Sequence, residues 1–158
     1  MKLTAPETVH PDRTRWIRAV IVALSLCCCV RPGMAQVGGW YSSIEEARDA
    51  ARAANLPLLI HFHAWYCSPC RQMDSQVFHD LQVQQALTDG ISAVQIDITQ
   101  DPDLAGEYGA STVPRDVVVY PDGRTETLNV GFVPRTRYLS LLSDIQTRGA
   151  QHRALQSP

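Results

Sequence analysis

The sequence predicts a single α/β domain in which a mixed central sheet is flanked by helices. Three observations carry that expectation. Apolar runs of strand length alternate with amphipathic helical stretches in the order α-β-α-β-α-β-β-α. The last two strands are separated by Pro121-Asp122-Gly123-Arg124, a hairpin signal that adds an antiparallel pair. A chain of 158 residues is long enough for one core.

The first 35 residues differ in kind from the rest. They carry Lys2, Arg13, Arg15, Arg18 and Arg31 against Glu7 and Asp12, a net charge of +3. Residues 36–158 hold nine Arg, no Lys and 14 acidic residues, a net of −5. The basic stretch precedes an apolar run from Ala19 to Val30, followed by Arg31-Pro32-Gly33-Met34-Ala35, with small residues at 33 and 35. That is the pattern of a secretory signal peptide cut after Ala35. The run is about 12 residues, against the roughly 20 that span a bilayer. The expected organisation is a signal peptide over 1–35, a domain over 36–148 and a flexible C-terminal tail over 149–158. The product is then periplasmic or secreted, or anchored to the membrane if the signal stays uncleaved. Leu26 before Cys27 argues against a lipid anchor, and no Arg-Arg pair supports twin-arginine export. An overall charge of −2 with 19% charged residues gives no case for nucleic-acid binding.

Within the domain, Gln36-Val37-Gly38-Gly39 reads as a flexible leader. Ser43 followed by Glu46 fits a capping box, and Ile44, Ala47, Ala51 and Ala54 recur at helical spacing until Asn55-Leu56-Pro57. Leu58 to Ala64 is a short apolar run bounded by turn signals, a buried strand. A helix from about Cys67 through Phe78, continued near Leu81 to Leu87, carries Met73, Val77 and Leu81 as its apolar stripe. Ile91 to Asp97 is the next strand, and Asp101-Pro102-Asp103 opens a helix ending near Gly109. Val117 to Tyr120 and Thr125 to Val130 form the hairpin. Thr136 to Thr147 is the covering helix, with Tyr138, Leu139, Leu142 and Ile145 inward.

Three of the five cysteines, Cys27, Cys28 and Cys29, fall in the expected signal, which leaves Cys67 and Cys70. The motif Cys67-Ser68-Pro69-Cys70 sits between an apolar strand and helix-forming residues. One thiol is therefore at a helix N-terminus, where the dipole and free N–H groups favour the thiolate. The second lies one turn on, within reach of a mixed disulfide formed at the first. A structural staple is the plainer alternative, but closing so small a ring stabilises a fold by only about 2 kcal/mol. Metal binding is the third.

Several separated stretches extend the pattern: Ala64-Trp65-Tyr66-Cys67-Ser68-Pro69-Cys70-Arg71-Gln72-Met73-Asp74, then Gln95-Ile96-Asp97, then Tyr108-Gly109-Ala110-Ser111-Thr112-Val113-Pro114. Tyr120-Pro121-Asp122-Gly123 and Val130-Gly131-Phe132 follow. Over about residues 40–148 the chain resembles the thioredoxin family, most nearly its exported members. The resemblance implies a thioredoxin-like fold and a redox-active Cys67–Cys70 disulfide. It implies that Pro114 is cis against the disulfide, and that Val113 and Pro114 hold a substrate strand. Trp65 and Tyr66 would form the contact surface beside the sulfurs. In the family an Asp on the strand before the motif is buried, pairs with a Lys from the neighbouring strand and manages the proton of the second Cys. His61 and Ala93 stand at those positions here. Imidazole titrates near neutrality, so His61 can take that proton; otherwise the second thiol relies on water and His61 merely hydrogen-bonds in the core. His63 shares its face of the strand. Two imidazoles and two thiols are also a soft ligand set for zinc or copper. His79 and His152 are expected on the surface. Arg115 would place a cation near the sulfurs and either lower the pKa of Cys67 or select an acidic partner.

The resulting expectation is an exported, monomeric thiol–disulfide oxidoreductase. It would reduce disulfide-containing protein substrates by Cys67 attack and Cys70 resolution, with His61 as proton carrier. No organic cofactor and no metal are assigned. An oxidising compartment cannot regenerate the dithiol, so a membrane electron donor is implied. Two rivals remain: a copper-handling protein using the two thiols with His61 or His63, and a non-catalytic thioredoxin-fold module that binds protein segments.

Overall fold

The computed structural model describes residues 39–156. The expected signal peptide, its cleavage point and most of the leader lie outside the described residues.

Helix α1 (Ile44–Ala54) begins where the Ser43 side chain accepts a hydrogen bond from the Glu46 N–H at 3.2 Å. The capping box is only half made, because the Glu46 carboxylate is taken by the Ser42 hydroxyl. Asn55 closes the helix in the left-handed conformation (φ 52°), a role its short polar side chain tolerates. Ile44, Ala47 and Ala51 are buried as their spacing predicts, whereas Ala54 is exposed.

The sheet runs β2-β1-β3-β4, built from β1 (Leu58–His63), β2 (Ser92–Asp97), β3 (Arg115–Val119) and β4 (Thr125–Val130). β1 pairs parallel with β2 and antiparallel with β3, and β3 with β4 antiparallel, so the sheet is mixed as predicted. Central β1 is buried over Leu58–Phe62 because helices cover both faces. Leu59, Ala93 and Val118 face one core with Tyr138, Leu142 and Ile145 of α5 (Arg135–Gln156). Leu58, Ile60, Phe62, Val94 and Val117 face a second core with α1 and α4 (Pro102–Glu107). Edge strand β4 carries a bulge: Asp116 pairs with Asn129 but Val117 with Thr127.

The helix after the cysteines departs from expectation. It starts as α2 (Ser68–Met73), then widens over Asp74–Phe78 into a π-helical turn, with the His79 N–H reaching back to the Asp74 carbonyl at 3.3 Å. A new helix, α3 (Leu81–Thr88), starts at Asp80, whose carboxylate accepts from the Gln82 and Val83 N–H groups at 2.9 and 3.4 Å. That restart shifts the helical phase. Met73 and Val77 are buried, but Leu81 is 79% exposed and Val83 and Leu87 take the inward positions.

The last helix also differs from its expected extent. α5 continues to Gln156, so Gly149–Gln156, expected to be loose, is helical. Gly149 permits this: a Cβ there would stand 2.8 Å from the Pro57 ring, and its absence lets the helix pass close to the start of β1. Arg148 pins the same stretch, donating to Glu126 at 2.6 Å and to the Tyr120 hydroxyl at 3.2 Å across the hairpin. Among the described residues no helix is long and apolar enough to cross a membrane.

Candidate active site

β1 ends at His63, and the chain turns through Ala64-Trp65-Tyr66 into α2 with Cys67 as the N-cap. The turn is held by the Cys67 N–H on the Ala64 carbonyl at 3.1 Å and by Arg71, which donates to the Trp65 carbonyl at 3.1 Å. Cys67 and Cys70 form a disulfide with their Cα atoms 5.3 Å apart. The Cys70 N–H donates to the Cys67 sulfur at 3.1 Å. In the reduced state such a donor, at the start of a helix, stabilises a thiolate at Cys67. The sequence spacing points to the same sulfur.

Both cysteines are buried, at 7% and 5%, in a small cluster with Ala64 against which Val113 and Ile98 pack. The Val113–Pro114 bond is cis and Pro114 is buried. The Pro114 carbonyl accepts from the Gly131 N–H at 2.7 Å, which fixes this loop to the end of β4. Trp65 and Tyr66 stand edge to face, 72% and 56% exposed, on the surface beside the disulfide. The Arg115 guanidinium donates to the Thr127 hydroxyl across the hairpin at 3.3 Å.

The strand position before the motif holds what the sequence could not show. His61 is 1% exposed and its Nδ1 lies 2.7 Å from Oδ1 of Asp116, itself fully buried on β3 directly opposite. The Tyr138 hydroxyl donates to the same oxygen at 3.3 Å and the Asn129 amide to the other at 3.4 Å. Burial first, and then Asp116, hold the Tyr138 phenol well above its ordinary value, so it remains a donor. Phe78 packs edge-on to the His61 ring at 4.7 Å and Trp40 lies 6.2 Å away. Ala93 contributes no charge; it is buried in the apolar core. The partner of the strand residue therefore comes from β3, on the other side of β1 from β2. An Asp heading the run Arg115-Asp116-Val117-Val118-Val119 was the available signal, since a carboxylate in a buried strand demands a partner.

His61, His63 and Cys70 line one pocket of about 260 Å³, together with Arg71, Asp74 and Gln95. The two imidazoles are nearly parallel at 6.1 Å. Burial, and then His61, lower the pKa of His63, while Asp97 and Asp74 oppose the shift. The folded state thus favours neutral His63, and the unfolded chain takes up a proton near pH 6.5 more readily. This contribution is complete above about pH 6.5 and is lost as pH falls below that value through the lowered pKa of the folded state. His63→Gln should flatten the acid side of the stability profile, read as urea midpoints against pH. An unchanged profile would remove His63 from that role. His79 is exposed and His152 partly buried on α5. Among the described residues no group of three or more His, Cys, Asp or Glu is arranged to hold a metal ion.

The model of the thioredoxin-like family matches residues 39–121, just over half of the chain. The chain belongs to the thioredoxin-like family. It is 31% identical over 104 residues to thioredoxin of Bacillus subtilis, covering 64% of this chain and 96% of that protein. Among solved structures, a thioredoxin from Thermus thermophilus superposes with a TM-score of 0.61 at 26% identity, over 70% of this chain and 88% of that one. The oxidised C-terminal domain of DsbD from Neisseria meningitidis gives a TM-score of 0.56 at 25% identity, over 64% and 90%. With the Cys67–Cys70 pair in place, this membership makes the chain a thiol–disulfide oxidoreductase.

Proposed function

We propose that this oxidoreductase is exported, and that it works in the reducing direction on disulfides of protein substrates. The observation that carries the assignment of roles is the single N–H donated by Cys70 to the Cys67 sulfur. It supports Cys67 as the thiolate that attacks a substrate disulfide, forming a mixed disulfide and releasing one substrate thiolate. Cys70 then loses its proton, with His61 as acceptor, and attacks the Cys67 sulfur. The second substrate thiolate leaves and the Cys67–Cys70 disulfide closes, so two electrons have passed to the substrate. Val113 and Pro114 hold the substrate backbone, and Trp65 and Tyr66 offer it an exposed aromatic surface.

Export rests on the basic, then apolar, N-terminal segment ending in Gly33-Met34-Ala35. Reduction in an oxidising compartment needs a supply of electrons, which we assign to a membrane donor. Pro69 before Cys70 supports a reducing character. A cell-fractionation experiment tests the location: protein recovered outside the cytoplasm should begin at Gln36. Cytoplasmic protein that keeps its first 35 residues would contradict export.

A further inference from the structure

The buried carboxylate behind the disulfide has no place in the two-cysteine exchange, yet burial of Asp116 is complete. A lone carboxylate in such a site is costly, and it is retained only with partners. Asp116 has three: His61 at 2.7 Å, Tyr138 at 3.3 Å and Asn129 at 3.4 Å. Tyr138 and Asn129 are donors from α5 and β4, so the carboxylate is anchored from two other elements and cannot turn away from His61. A carboxylate at Nδ1 takes the proton of that nitrogen as a hydrogen bond, which leaves Nε2 as the basic nitrogen of the neutral ring. His61 in turn lines the pocket that Cys70 lines.

We propose that Asp116 is a positioning residue for the resolving step: it fixes the tautomer and orientation of His61, so that the imidazole accepts the proton of Cys70. This rests on the thiol-exchange reading above and assigns to it a residue from a different strand. The step balances. The Cys70 S–H bond breaks, its proton passes to Nε2 of His61, and the new thiolate forms the Cys67–Cys70 bond while the bond from Cys67 to the substrate sulfur breaks. The imidazolium then returns its proton to solvent through the pocket. The charged and titratable groups around His61 are Asp116 on β3, Tyr138 on α5, His63 on β1, Cys70 and Arg71 on α2, and Asp74 in the π-helical turn. Asp116 is the one among them bonded directly to the ring.

The test uses the full chain carrying Cys27→Ser, Cys28→Ser and Cys29→Ser, reduced and mixed with a chromogenic aryl disulfide. Attack by Cys67 releases one coloured thiolate and resolution by Cys70 releases a second. Asp116→Asn should leave the first release within about twofold and slow the second about tenfold or more, as loss of a base-orienting carboxylate does. The pH profile of the second release should change from that of the parent. His61→Gln should do the same, and the double variant should be no slower than either single one. A second release in Asp116→Asn with the rate and pH profile of the parent overturns the proposal. Absence of the first release in the parent overturns the thiol-exchange reading itself. One measurement is independent of how Asp116→Asn folds: the nitrogen-15 spectrum of the reduced parent should show His61 protonated at Nδ1 and bare at Nε2. The opposite tautomer would overturn the inference.

Discussion

Cys67→Ser should lower the rate of insulin disulfide reduction, driven by dithiothreitol, to that of the reductant alone, a loss of about three orders of magnitude or more. The reason is that the Cys67 sulfur, as the N-cap of α2, receives the Cys70 N–H that favours its thiolate, the form that attacks a disulfide. Cys70→Ser should have a different phenotype. Attack at Cys67 proceeds, resolution cannot, and the substrate remains joined to the protein as an adduct that survives denaturing electrophoresis until reductant is added. Reduction surviving Cys67→Ser, or a Cys70→Ser variant that captures no substrate while the parent turns over, would contradict the assigned order of attack.

The second large effect concerns the platform rather than the chemistry. Phe62→Ala should destabilise the fold by about 3–5 kcal/mol, because the ring is fully buried and the site cannot collapse around the loss. Phe62 is the penultimate residue of β1, packed 5.9 Å from the Tyr108 ring and sharing a core with Ile60, Val94 and Val117. For a domain of this size that corresponds to roughly 10–20 °C in melting temperature. Leu81→Ala, at a position the sequence pattern places in the core, should change stability by less than about 0.5 kcal/mol, since its side chain is 79% exposed. Thermal melts of the two variants decide the matter. A large loss in Leu81→Ala would mean that the π-helical turn does not shift the helical phase.

That pair of variants marks what the sequence makes legible. Strand positions were readable because β1 is a continuous apolar run and because the turn before β4 announces itself. The two thiols were readable from their spacing at the start of a helix, whereas Val113 and Pro114 came into view only through the resemblance to the family. The π-helical turn was not readable, since its cause lies in the packing of Val77 and Phe78 and in the new start at Asp80. The helical end of the chain was missed because Gly149 reads locally as a terminator. Only the approach of Pro57, remote in sequence, explains a glycine inside the helix.

The most instructive gap is at His61. The resemblance to the family raised the question of a proton carrier there and directed the search for a partner to the neighbouring parallel strand, where Ala93 offers nothing. Asp116 is 55 residues away, and its side chain meets His61 only through the β1–β3 register. Register between non-local strands is set by the whole sheet, so no local motif encodes it. A buried acid in an apolar strand was nonetheless a visible anomaly.

In the mechanism proposed above, Cys67 and Cys70 form one reversible redox couple. Equilibrate the protein across a series of glutathione redox buffers, quench with an alkylating reagent, and weigh the modified forms at Cys67 and Cys70. Both sulfurs should become alkylated together, with a single midpoint and full reversal on reoxidation. A sulfur that stays open under oxidising buffer, or a pair that stays closed under strongly reducing buffer, would contradict it.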